Sequence, residues 1–123
     1  MSSNKDVFII DDSNTNIVLI EAILGAKGYA TRTALCVKEA LPQIVKHKPS
    51  LILLDLLMPE VSGFDFLAQI KNNPKLNDIP IVIISALTEQ ENIKRTLDLG
   101  AVEYLRKPLE IPALIKIVEK ILN

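Results

Sequence analysis

The stretch Leu51–Pro59, reading Leu-Ile-Leu-Leu-Asp-Leu-Leu-Met-Pro, limits what this chain can become more than any other. An apolar run of this length, bounded by Pro49 and Pro59, predicts a strand over Leu51–Leu57 that is buried on both faces. Asp55 is its one charged residue. An ionised carboxylate cannot sit in such a strand without partners. At the strand's end it can face a crevice and meet a cation. The fold must therefore supply both a crevice and a cation.

The rest of the chain reads as apolar strands alternating with helices. Val7–Ile10 is a first apolar strand ending at Asp11-Asp12, and Ser13-Asn14 offers the capping oxygens of a helix. Ile17, Ile20 and Leu24 give that helix its inner face, and Gly28 its C-terminal cap. Tyr29–Ala34 is predicted as a second strand nearer an edge. Val37–Lys46 is a helix with Ala40, Leu41, Ile44 and Val45 inward, and Pro42 should bend or fray it. Ser62 and Asp65 start a third helix, Phe64–Lys71, and Ile81–Ile84 forms a fourth strand ending at Ser85. Thr88 and Glu91 form the capping box of a fourth helix that stops before Gly100, with a thin apolar stripe of Ile93, Leu97 and Leu99. Ala101–Leu105 is a fifth strand, followed by Arg106-Lys107-Pro108. The last helix, Ile111–Leu122, turns Leu114, Ile115, Val118, Ile121 and Leu122 inward. Ile117 extends its apolar arc, either as a wide core contact or as part of an exposed strip.

Alternating strands and helices with crossover-length connections predict an α/β, doubly wound sheet of flavodoxin-like type, a (βα)5 unit with five parallel strands. The expectation is one domain over residues 1–123, without repeats or linkers, a length that folds without disulfides or structural metal. A formal net charge of −1 and a pI near 5.8 exclude a polyanion-binding surface. Two tyrosines, three phenylalanines and no tryptophan, with no basic cluster among them, exclude a stacking platform for single-stranded nucleic acid. No apolar run approaches the roughly 18 residues of a membrane span. The single Cys36, at the start of the second helix, has no expected redox task and fits a reducing, cytoplasmic location. His47 reads as a solvated surface residue.

In open α/β sheets ligands bind outside the carboxyl ends of the strands. Asp11 and Asp12 stand there after strand one, Asp55 at strand three, Ser85 after strand four and Lys107 after strand five. Three convergent carboxylates require a divalent cation, and oxygen-only ligands favour Mg²⁺ or Mn²⁺. Lys107 adds a compact positive charge suited to phosphate, and the Ser85 hydroxyl can donate to a phosphoryl oxygen. These parts describe phosphoryl transfer onto a carboxylate by positioning and charge neutralisation. The four glycines form no phosphate-cradling motif for a nucleotide or flavin.

The set Ile10-Asp11-Asp12, Asp55 with Met58-Pro59 and Gly63, Ser85-Ala86, and Tyr104 with Lys107-Pro108 resembles the receiver domain of two-component response regulators, and is similar to the stand-alone chemotaxis and cell-cycle regulators. The resemblance covers essentially the whole chain and implies a strand order of 2-1-3-4-5. It implies that Asp55 is the phosphoacceptor, that Asp12 ligates Mg²⁺ directly, and that Asp11 acts mainly through a metal-bound water. The backbone carbonyl of Leu57 would be a further ligand. Ser85 and Lys107 would bind the phosphoryl group, Lys107-Pro108 would form a cis peptide, and Tyr104 would be a rotameric switch coupled to Ser85. The family often has Asp where Ser62 stands, and Thr somewhat more often than Ser at position 85. Leu57 and Leu87 fall where the family tunes dephosphorylation, and two apolar side chains there imply a long-lived phosphate. A sensor histidine kinase or phosphotransfer protein is the implied donor. The surface of helix four, strand five and helix five is the implied partner face, with a homodimer as one use of it. Two other functions compete. An Asp-nucleophile phosphatase would need an acid two residues after Asp55, where Leu57 stands. A pseudo-receiver acting only as an interaction module would have lost some of the acids or the lysine.

Overall fold

A computed structural model describes residues 5–56, 62–87 and 89–123. Strands β1 (Asp6–Ile10), β2 (Ala30–Ala34), β3 (Leu51–Asp55), β4 (Ile81–Ser85) and β5 (Glu103–Arg106) alternate with helices α1 (Asn14–Ala26), α2 (Val37–Lys46), α3 (Gly63–Lys71), α4 (Gln90–Asp98) and α5 (Ile111–Leu122). The strands form one parallel sheet in the order β2-β1-β3-β4-β5. This is the flavodoxin-like α/β fold.

The three central strands are apolar at nearly every position because helices cover both faces. Their side chains alternate between two cores. Phe8, Ile10, Ile52, Leu54, Ile81 and Ile83 face α2 and α3, where Ala40, Ile44, Phe66, Leu67 and Ile70 meet them. Val7, Ile9, Leu51, Leu53, Val82 and Ile84 face α1 and α5, meeting Ile17, Ile20, Leu24, Leu114 and Val118. Each such side chain contributes roughly 1.5–3 kcal/mol by leaving water. A rigid sheet rim is the result, and the site sits on that rim.

Two helices end in the same device. Gly28 (φ 90°) and Gly100 (φ 112°) occupy the left-handed position after α1 and α4. The amides of Tyr29 and Ala101 reach back to the carbonyls of Leu24 and Thr96, and those of Gly28 and Gly100 to Gly25 and Leu97. That is the Schellman pattern, which a side chain at either glycine would strain.

Several expectations are corrected. β3 ends at Asp55, short of the predicted Leu57, with the carboxylate at the strand's end as expected; Leu57 is outside the described residues. β5 begins at Glu103 instead of Ala101, with Val102 exposed. Val45 and Leu97 point outward, at 62% and 44% exposure. α2 buries the expected Ala40 and Ile44 together with Val37, and α4 buries Thr96, whose hydroxyl donates to the Ile93 carbonyl at 2.8 Å. Glu89, not Thr88, holds the N-cap position of α4 and makes no side-chain cap bond; Thr88 lies outside the described residues. α2 runs unbroken through Pro42. On α5, Ile117 packs into the core, whereas Ile115 joins Ile111 and Pro112 along an outer groove.

Candidate functional site

Local rules carry each acid to the rim. Asp11 follows β1 directly, and its amide still donates to the Ala34 carbonyl of β2 at 3.2 Å. The chain then turns into α1, where the Ser13 hydroxyl caps the helix by accepting from the Asn16 amide at 3.3 Å. Asp55 closes β3, paired in register with Ile84, so Ser85 stands one residue further along the neighbouring strand. Gly63 begins α3 against the backbone that carries Asp55: a Cβ there would lie 2.6 Å from the Leu56 Cα and 2.9 Å from the Asp55 carbonyl oxygen. Only glycine allows that approach. Ser62 caps α3, accepting from the Phe64 amide at 3.1 Å. The Lys107 amide donates to the Ser85 carbonyl at 2.9 Å, which brings the lysine beside the acids. The Lys107–Pro108 peptide is cis.

Asp11, Asp12 and Asp55 each offer a carboxylate oxygen within 4.8 Å of the others. Asp11 and Asp55 are buried, at 2% and 4% exposure, and Asp12 is exposed. The Lys107 Nζ donates to Asp11 Oδ2 at 3.3 Å and to Asp55 Oδ2 at 3.4 Å. Two carboxylate charges about 5 Å apart repel by about 3 kcal/mol at an effective dielectric of about 20, and a third adds to this. One ammonium shared between two of them offsets only part. An oxygen-only donor set, with one acid open to solvent, fits a hard divalent cation that keeps some of its water. Asp11, Asp12 and Asp55 could hold it; the Leu57 carbonyl lies outside the described residues.

Ser85 and Tyr104 lie on a second branch of the site. The fully buried Ser85 Oγ accepts from the Leu87 amide at 3.2 Å, and the Leu87 carbonyl accepts from the Tyr104 hydroxyl at 2.7 Å. One residue thus links the two side chains. The resemblance gives Leu87 only a position where the family tunes dephosphorylation, because a backbone bridge leaves no mark on side-chain identity. Asn16 was missed altogether, and its Nδ2 lies 3.4 Å from Asp11 Oδ2. The available signal was its spacing, one helical turn beyond the Ser13 cap.

The parallel sheet thus carries acids just after β1 and at the end of β3, and a lysine just after β5, all on one rim. Residues 7–119 match the response regulator receiver domain, and the chain belongs to that family. It is 31% identical over 119 residues to the polar-differentiation response regulator DivK of Brucella anthropi, covering 97% of both chains. It is 37% identical over 112 residues to a probable cyclic di-GMP phosphodiesterase of Vibrio cholerae, covering 91% of this chain but only 25% of that protein. Among solved structures, the chemotaxis protein CheY4 of Vibrio cholerae superposes with a TM-score of 0.90 at 27% identity, covering 98% of this chain and all of the other. A response regulator from Chloroflexus aurantiacus gives 0.91 at 30% identity, covering 98% of each.

Proposed function

We propose that residues 1–123 form one receiver domain that accepts a phosphoryl group on Asp55 from a phosphohistidine of a sensor kinase or phosphotransfer protein. The observation that carries this reading is the convergence of the Asp11, Asp12 and Asp55 carboxylates, with Lys107 between two of them. In the reaction a carboxylate oxygen of Asp55 attacks phosphorus, the bond from phosphorus to the histidine nitrogen breaks, and that nitrogen departs with the bond's electron pair. The product is an acyl phosphate. Mg²⁺, or Mn²⁺, held by Asp11, Asp12, Asp55 and the Leu57 carbonyl would offset the repulsion between the attacking carboxylate and the phosphoryl oxygens. Lys107, released from its carboxylates, pairs with the transferred group, and the Ser85 hydroxyl turns from Leu87 to donate to a phosphoryl oxygen.

Movement of Ser85 changes what holds Leu87, and with it the partner of the Tyr104 hydroxyl. That route would bias the face made by α4, β5 and α5, where Leu97, Val102 and Ile111 are exposed. A downstream protein or a second copy of the chain would bind there. Phosphate can shift only an equilibrium it favours unequally, so the unphosphorylated chain also samples the active form. Leu57 and Leu87 offer no polar group to guide water, so the phosphate should last longer than a few seconds. The domain is itself no enzyme toward other substrates, and its free Cys36 fits a reducing cytoplasm. Among the described residues no helix is long and apolar enough to cross a membrane.

Incubation with Mg²⁺ and a small acyl- or amidophosphate, followed by intact mass, tests the chemistry. One phosphoryl group should be gained by the parent and none by Asp55→Asn. No gain in the parent would overturn the reading.

A further inference from the structure

We propose that Asn16 is a positioning residue for the acidic site, fixing the carboxylate of Asp11 for the cation. The inference rests on the phosphoacceptor reading of that site. Asp11 is buried and receives donors on both oxygens: the Ser13 amide on Oδ1 at 2.9 Å, and both Asn16 Nδ2 (3.4 Å) and Lys107 Nζ (3.3 Å) on Oδ2. Asn16 belongs to this turn twice. Its main-chain amide caps onto the Ser13 hydroxyl, which holds the first turn of α1 in place. Its side chain, leaning toward the helix N-terminus as helical side chains do, reaches back to the acid.

The two Oδ2 donors differ in a way that matters. Lys107 is also bound to Asp55 and must leave both acids to meet a phosphoryl group. Asn16 and the Ser13 amide then remain as the donors that keep Asp11 in one rotamer. An amide does this without cancelling the charge on which cation binding depends, as a lysine or arginine at position 16 would. Groups that orient a metal's ligands in this way commonly govern affinity though they never touch the ion.

The test is Mg²⁺ binding by calorimetry on the parent, Asn16→Ala and Ser13→Ala, with the side-chain carboxyl ¹³C resonance of Asp11 and the melting temperature read for each. Ser13→Ala removes the helix cap but keeps the amide of Asn16's side chain, so it reports what loosening of α1 alone does. Asn16→Ala should weaken Mg²⁺ binding about fivefold, less than the roughly 10–100-fold seen for stronger outer contacts because this bond is long. It should also move the Asp11 resonance, whereas Ser13→Ala, which keeps the main-chain amide on Asp11, should mainly lower the melting temperature and affect the other two readouts clearly less than Asn16→Ala does. Equal Mg²⁺ affinity in Asn16→Ala and the parent would overturn the proposal. So would equal weakening in both variants, which would assign the effect to helix stability. Parent protein that binds no Mg²⁺ would overturn the phosphoacceptor reading, and this inference with it.

Discussion

The two ends of the sheet use the same residue types to opposite effect. At the N-terminal end, Asp6 on β1 meets Arg32 on β2, whose Nε and Nη2 donate to Asp6 Oδ2 at 3.1 and 2.7 Å. The same guanidinium donates to the carbonyls of Gln43 (3.4 Å) and His47 (2.7 Å) at the end of α2, and lies 5.2 Å from the Phe8 ring centroid. Asp6 Oδ1 accepts from the Ser50 amide. A cation there also complements the negative end of the helix dipole. At the C-terminal end three carboxylates converge, and one lysine bridges two of them at longer distances. Among the described residues, one guanidinium serves one carboxylate where the fold is fastened, while carboxylates outnumber the lysine at the candidate site. Like charges gathered at one rim are expected to cost stability, a common relation between stability and function.

The largest expected effect breaks the matched end. Arg32→Ala strands a half-buried carboxylate and frees the last turn of α2, and should cost about 3 kcal/mol. At about 4 °C per kcal/mol for a chain this long, thermal unfolding would register it clearly. The double variant with Asp6→Ala should cost less than the sum of the singles, since each removes the other's partner. A loss below about 1 kcal/mol for Arg32→Ala would mean that the network is not what fastens this end.

At the other end the sign reverses. Asp55→Asn removes one of three like charges and should raise stability by about 1–2 kcal/mol in the presence of a chelator, measured by urea denaturation. Destabilisation would show that Lys107 neutralises the cluster fully and that the two ends are alike. Mg²⁺ supplies the third measurement. At ten times its dissociation constant it should stabilise the parent by about 1.4 kcal/mol, because it binds the folded form only. The Asn variant should gain much less.

How much of this was legible follows from the same contrast. β1, β3 and β4 announce themselves as apolar runs, since helices cover both faces, and the acids at the ends of β1 and β3 and the serine that ends β4 fall out directly. α5, with a full apolar face, matches its predicted bounds Ile111–Leu122. The edge strand β5 and the helix α4 were less readable. α4 is anchored by one buried threonine, by Leu99 after its end, and by Arg95 stacked 4.0 Å over the Phe64 ring, so no apolar stripe marks its face and Leu97 misleads. The Arg32 network was invisible because a cross-strand pair 26 residues apart leaves no local pattern. Asn16 was hidden because an asparagine in the first turn of a helix already has an ordinary explanation.

The smallest expected effect marks where matched charge stops mattering. Lys48 and Asp78 form an ion pair at the N-terminal end, but both are well exposed, Asp78 at 68%. The hydrogen bond from Lys48 is the main reason the Asp78 pKa falls below its ordinary 3.8. A depressed carboxylate pKa means that the unfolded chain binds the proton more tightly. Any stability from the pair is therefore present above that ordinary value and lost as pH falls through the lowered folded one. Asp78→Asn should move the melting temperature by less than about 2 °C at neutral pH and low salt. The difference should vanish on acidification below the folded pKa, and also in high salt, where exposed pairs are screened. A shift approaching that of Arg32→Ala would show that pairing alone fastens this end. The expected near-silence would assign the work to what Arg32 has in addition: partial burial, helix carbonyls and a ring beneath it.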